Sequence, residues 1–146
     1  MSRAIVETAF VQASPERVFA ALTTPAELCQ WWTDPDLCTS VAWEVDLRRG
    51  GSWRSRWRWT ADGTEFELGG EVLEVDAPHL LVVSWRDARY AGLPQTTVRY
   101  ELEAGGTGTL VRVTHSGFDN VRADFDDYSG GWSSVLAKLH RHLPSA

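Results

Sequence analysis

The stretch Ser52-Trp53-Arg54-Ser55-Arg56-Trp57-Arg58-Trp59 decides the fold. Trp53, Ser55, Trp57 and Trp59 fall on one parity, and Arg54, Arg56 and Arg58 on the other. Side chains of a β-strand point alternately to its two faces, so this is a strand with an aromatic face and a cationic face. The aromatic face belongs inward and the arginines outward. A register slipped by one residue would exchange the two.

The alternation continues on both sides. Before it, Trp43, Val45 and Leu47 share a face opposite Glu44 and Asp46, and Gly50-Gly51 makes the turn. After it, Asp62-Gly63 suits a hairpin turn, and Phe66 and Leu68 oppose Glu65 and Glu67. That strand runs on through Val72 and Val75 until Ala77-Pro78 breaks it. Strands follow at Leu80 to Trp85, Thr96 to Leu102 and Thr109 to His115, with Gly105, Gly106 and Gly108 turning the last pair. The glycine pairs beginning at Gly50, Gly69 and Gly105 read as turn or bulge residues, and none forms a phosphate loop.

Upstream, Ile5 to Val11 is a first strand. Ser14 fits an N-cap, with Pro15 at the first helical position and Arg17 where a capping box would place Glu or Gln. Thr24-Pro25 starts a second short helix that runs through Leu28 to Trp31 and Trp32 and ends at Asp34 to Asp36. Beyond Gly117 the period becomes helical. Trp132, Val135, Leu136, Leu139 and Leu143 form one apolar stripe, and Gly130-Gly131 would weaken or kink the start of that helix. Short turns imply an antiparallel meander, and the amphipathic helix must bury its stripe on one face of it. The gap between a curved sheet and a helix is a natural ligand pocket.

The chain has 146 residues, 43% hydrophobic and 23% charged, which suits one globular domain over 1–146. Its net charge of -6 disfavours a general nucleic-acid or membrane-surface role, though a local basic patch could survive. No apolar run approaches the roughly 20 residues of a membrane-spanning helix. Met1 to Phe10 lacks a secretory pattern, and Cys29 and Cys38 lack metal or CxxC spacing. Buried thiols in a reducing cytoplasm are the expectation, with a loop disulfide as the alternative. Lys138 is the only lysine, and eight tryptophans are many for this length.

Several pieces, in order, resemble a known group. They are Ser14-Pro15 before Val18-Phe19, Thr24-Pro25 leading to Trp31-Trp32, Arg49 to Trp53, Gly70 to Val75, Leu81 to Trp85, Gly108-Thr109, Thr114 to Phe118, and Gly131-Trp132 with Leu136 and Leu139. The ordered set resembles the START-like (SRPBCC) superfamily, and within it the family related to the activator of the heat-shock chaperone ATPase. The resemblance covers nearly the whole chain. It implies an α+β helix-grip fold: a curved antiparallel sheet of about six or seven strands wrapped on a long C-terminal helix, with two short helices after the first strand. The superfamily includes lipid and hormone carriers, polyketide cyclases, stress proteins and co-chaperone domains, so the fold alone names no ligand.

The expected function is to bind an apolar or aromatic small molecule in an aromatic-lined cavity. Trp31, Trp32, Trp57, Trp59, Trp85, Tyr100, His115, Phe118, Trp132 and Leu136 are expected to line it. Trp31 and Trp32 would sit at the mouth, one facing inward and the other open to exposure. Buried indole N–H groups need partners, which a ligand edge or water would supply to several of them. A cyclase- or dehydratase-like enzyme is the second reading, with His115, Glu71, Tyr100 and Tyr128 as the candidates for moving a proton. Glu71 could instead face outward, and His115 could be a satisfied core residue. A chaperone- or protein-interaction module is the third, and an exposed Trp31 or Trp43 would mark it. A homodimer remains open.

Arg54, Arg56 and Arg58 could bind an anion, but cross-strand pairing with Glu44, Asp46, Glu65 and Glu67 explains them without a ligand. His140 and His142 do not share a helix face, and Asp119, Asp124, Asp126 and Asp127 lack the spacing of a calcium loop. No metal or cofactor is expected.

Overall fold

A computed structural model describes residues 4–34, 36–87, 95–117 and 131–143. The elements are β1 (Ala4–Val11), α1 (Pro15–Thr23), α2 (Pro25–Trp31), β2 (Cys38–Val45), β3 (Ser52–Trp59), β4 (Glu65–Asp76), β5 (Leu80–Asp87), β6 (Thr96–Gly105), β7 (Gly108–Ser116) and α3 (Gly131–His142). All seven strands form one antiparallel sheet in the order β1-β7-β6-β5-β4-β3-β2. β2 to β7 are a meander. β1 instead pairs with β7, from Ala4↔Ser116 to Val11↔Thr109, because α1 and α2 carry the chain across one end of the sheet before β2 begins.

The start of α1 follows from its sequence. Ser14 Oγ accepts the Arg17 N–H at 3.2 Å, and Pro15 opens the helix without needing a donor. Thr24 closes α1 and precedes Pro25, so the two helices meet at one extended residue. The Trp31 indole N–H donates to Ala21 O at 2.9 Å and ties α2 back onto α1.

Two irregularities set which side chains face inward. β2 shifts register between Ser40 and Ala42. β4 shifts between Val72 and Glu74, so Val72 and Val75 both turn toward the core although they are three residues apart. The face expected to include Leu47 ends sooner: β2 stops at Val45, and Leu47 is 40% exposed beside the tight turn that Arg48 N–H and Gly51 N–H close. Gly69 and Gly70 are not turn residues. They lie inside β4, where Gly70 is opposite Trp53. Pairing with β5 passes from Gly69↔Arg86 to Val72↔Val83, and in that gap the Glu71 N–H donates to Ser84 Oγ at 2.8 Å.

α3 lays Trp132, Leu136 and Leu139 on the sheet, packing against β1 along its length and against α2. Its last turn is clasped to α2, where Glu27 Oε1 meets both His142 Nε2, at 2.7 Å, and Arg17 Nη2. The hydrogen bond from Arg17 does most to hold the Glu27 carboxyl below its ordinary value. Cys29 and Cys38 are half-buried rather than buried, and no disulfide joins them. Among the described residues, no helix is long and apolar enough to cross a membrane.

Candidate functional site

The inward faces of β3 and β5 and the ends of α2 and α3 bring the tryptophans together. Trp32 is the hub, its ring centroid lying 5.3 Å from Trp31, 5.2 Å from Trp43, 5.7 Å from Trp132 and 6.1 Å from Trp85. Trp53 and Trp85 approach to 4.8 Å. Many of these indoles find donors' partners within the protein, not in a ligand or water. Trp43 donates to Ser40 Oγ, Trp53 to Ser84 O, Trp57 to Ser55 Oγ and Trp132 to His115 Nδ1, at 3.2, 2.9, 2.9 and 2.9 Å.

Between sheet and helix lies a recess of about 420 Å³. Trp57, Trp59, Phe66 and Leu68 form its sheet wall, with Trp85 at the back. Trp32 closes it on the α2 side, and Trp132 and Val135 on the α3 side. Leu37 and Cys38 complete the apolar part, and Thr33, Asp34, Ser134 and Lys138 are polar. A second void of about 30 Å³, behind Trp32 and Trp85, is bordered by Trp43, Trp53 and Tyr100. It has room for a water-sized occupant at most.

The structure therefore divides the expected cavity residues. Trp32, Trp57, Trp59, Trp85 and Trp132 line the recess. Tyr100 borders the smaller void instead, where burial raises its phenol well above the usual range. Trp31 stacks behind Trp32 and borders a shallow outer groove with Gln30 and His142. It is only 4% exposed, so neither tryptophan of the pair is open to solvent. Leu136 lies toward β1, where a separate groove runs past Phe10 and Thr8. Phe118 and Tyr128 lie outside the described residues, as do Asp119, Asp124, Asp126 and Asp127. Trp43 is 8% exposed, so the exposed tryptophan that would mark a protein-interaction face is absent at both named positions.

Phe66, Leu68, Leu37, Val135 and the four polar residues were missed from sequence. A signal existed for part of them. Gly131, Ser134, Val135 and Lys138 follow helical spacing on one face of α3, beside that of Leu136 and Leu139.

His115 is inward, as its strand parity requires, but it is not at the recess. Trp132 donates to Nδ1, so the ring proton sits on Nε2 and points at Thr96 Oγ1, 2.7 Å away. Thr96 Oγ1 in turn donates to Trp85 O at 3.3 Å. This tautomer is assigned from the bonding network. Burial pushes the imidazole down to about 3. With its lone pair already occupied, His115 has the environment of a satisfied core residue and not of a general base. Glu71 is exposed on the outer face, so it does not converge with His115 or Tyr100.

The arginine stripe faces solvent. Arg54 pairs with Glu44 at 2.9 Å and with Glu67 at 4.0 Å; Arg56 and Arg58 reach Glu65 at 3.5 and 2.9 Å. Asp46, expected among these partners, instead pairs with Arg48 at 2.9 Å. Exposed pairs contribute little, so Arg56→Ala should change the unfolding free energy by less than about 1 kcal/mol in urea titrations. A larger loss would mean that Arg56 has an unrecognised structural partner. Among the described residues, no group of three or more His, Cys, Asp or Glu side chains could hold a metal.

A seven-stranded antiparallel sheet curled on a C-terminal helix, with two short helices after its first strand, defines a helix-grip domain of the START-like superfamily. The chain belongs to the family described as Activator of Hsp90 ATPase homolog 1-like protein, whose sequence profile matches residues 12–144. Among solved structures, protein CV1439 from Chromobacterium violaceum is similar at TM-score 0.80 and 24% identity, over 96% of each chain. Protein Ms6760 from Mycobacterium smegmatis is similar at TM-score 0.81 and 22% identity, over 98% of this chain and 91% of that one. DynU16, a protein in the dynemicin biosynthetic locus, is similar at TM-score 0.72 and 22% identity, over 96% of this chain and 46% of that one. At these identities the likeness is one of fold. The search of curated proteins gives no significant match.

Proposed function

We propose that this domain binds a flat apolar or aromatic small molecule in the recess between sheet and α3. The observation that carries the reading is the space of about 420 Å³ walled by Trp32, Trp57, Trp59, Trp85 and Trp132. Protein interiors are close-packed, and few voids exceed one water. A flat ligand of matching shape would add dispersion contacts and apolar burial along this aromatic wall. The volume lies within the range of small-molecule sites. The location of DynU16 in a biosynthetic locus supports a small-molecule role over a protein-docking one. This reading places the domain in the cytoplasm, a reducing compartment in which thiols such as Cys29 and Cys38 stay reduced. Catalysis is the weaker reading, because His115 is engaged on both ring nitrogens and Glu71 faces away.

Isothermal titration calorimetry with 2-acetylnaphthalene tests the proposal. Saturable one-to-one binding is expected, with Kd on the order of 10 μM. Val135→Trp fills the recess from a partly buried wall position and should abolish that heat while far-UV circular dichroism stays native. No saturable binding by the parent protein, or undiminished binding by a folded Val135→Trp variant, overturns it.

A further inference from the structure

We infer that Lys138 makes the recess selective for aromatic acids, the ring system lying among the indoles and its carboxylate meeting the lysine ammonium. This rests on the ligand-binding reading above and narrows it to a substrate class.

The basis is how Lys138 is placed and what it bonds. It is the only lysine among 14 basic residues, and it stands on the wall of the recess. Its side chain is only 17% exposed. Its hydrogen-bond partner is Ser134 Oγ, 2.7 Å away and one turn back on the same helix, a neutral group that balances no charge. Asp34 Oδ2 forms a long ion pair with it at 3.8 Å, too far for a hydrogen bond, so the charge is only loosely met and the remaining donors stay open to a closer anion. Asp34 is itself 40% exposed, and its other oxygen accepts the Asp36 N–H at 3.2 Å. Thr33 Oγ1, the remaining polar group of the lining, accepts the Ser40 N–H.

An ammonium has three donors, and this one has a single close acceptor among the described residues. Largely removed from water against an aromatic wall, it gains more from a charged acceptor than from a neutral one. Asp34, by contrast, is well hydrated and has less need of a ligand cation. The difference in burial between the two decides the sign of the ligand charge: the buried partner is the cation, so the ligand group that completes the site is an anion.

Two nearly isosteric probes test this by calorimetry: 2-naphthoate, with a carboxylate, and 2-acetylnaphthalene, with a methyl ketone. The acid should bind about tenfold more tightly than the ketone to the parent protein. Lys138→Met keeps the length of the side chain and removes its charge. It should erase that advantage, so that the ratio of acid to ketone affinity falls from about ten to about one or below. Asp34→Asn should strengthen acid binding, because it removes the opposing charge. Equal affinity of the two probes for the parent protein, or an acid advantage that survives in Lys138→Met, overturns the inference while leaving the ketone site standing. If neither probe binds, the ligand-binding reading falls and this inference falls with it.

Discussion

Gly70→Ala should destabilise the domain by about 3 kcal/mol or more, the range reached when a backbone position is strained beyond repair by side-chain movement. A Cβ built on Gly70 would lie 1.9 Å from Ser84 O and 2.7 Å from Ser84 C, both main-chain atoms that no rotamer change can clear. The same Ser84 oxygen accepts the Trp53 indole N–H, and Trp53 stands directly opposite Gly70 on β3. The indole reaches across to β5, where it also packs on Trp85. One methyl therefore disturbs the β4–β5 junction and an indole hydrogen bond together. Differential scanning calorimetry should show a fall in Tm of roughly 10 °C, at about 3–4 °C per kcal/mol for a chain of this size. Gly131→Ala is the internal comparison: nothing lies within 4 Å of its Cβ, so the same measurement should show no loss. A Gly70→Ala variant as stable as Gly131→Ala would contradict the packing described for β4.

Acid should destabilise the protein through His115. The folded chain keeps this imidazole neutral until about pH 3, because burial excludes the charged form, whereas the unfolded chain takes up the proton near 6.5. Between those values the unfolded state holds more protons. Stability from this residue is therefore complete above 6.5 and declines as the pH falls toward 3. At about 1.4 kcal/mol per pH unit, moving from pH 7 to pH 4 removes about 3 kcal/mol. Carboxylates such as Glu27 add their own loss at the acid end, so the informative quantity is a difference. His115→Gln has no titrating ring. Its unfolding free energy, lower at pH 7, should fall less steeply than that of the parent between pH 6.5 and 4. Parallel slopes in guanidinium titrations would show that His115 titrates normally.

The sheet was legible because its strongest segment carries its own explanation. In 53–59, inward Trp53, Ser55, Trp57 and Trp59 alternate with outward arginines, and acids on β2 and β4 offer partners for the outward face. What failed was wherever pairing with a neighbour overrides parity. Leu47 reads as the next inward residue after Trp43 and Val45, but the turn closed by Arg48 and Gly51 removes it from the strand. The bulge between Val72 and Glu74 is set by the match of β4 to β5, which neither strand announces by itself. Gly70 looks like a turn glycine until Trp53 is seen to stand opposite it.

The site was legible by class and not by membership. Alternation placed Trp57, Trp59 and Trp85 on the inner face and helical spacing placed Trp132, but neither says where along the face the packing opens. Tyr100 and His115 share that inner face with the recess residues and still lie elsewhere, because Trp132 and Trp32 stand between. Lys138 was noticed only as a rarity of composition. Its significance comes from the distance to Asp34, which joins the segment after α2 to α3 across about a hundred residues of sequence.

The close spacing of the indoles also has an optical consequence. With ring centroids 4.8 to 6.4 Å apart from Trp31 through Trp32, Trp43, Trp53, Trp57, Trp85 and Trp132, their excited states are coupled. The near-ultraviolet spectrum therefore belongs to the network and not to single residues. Excitation absorbed at Trp53, which does not itself line the recess but packs on Trp85, can be emitted or quenched at its wall. A molecule touching one ring is thereby reported by nearly all of them.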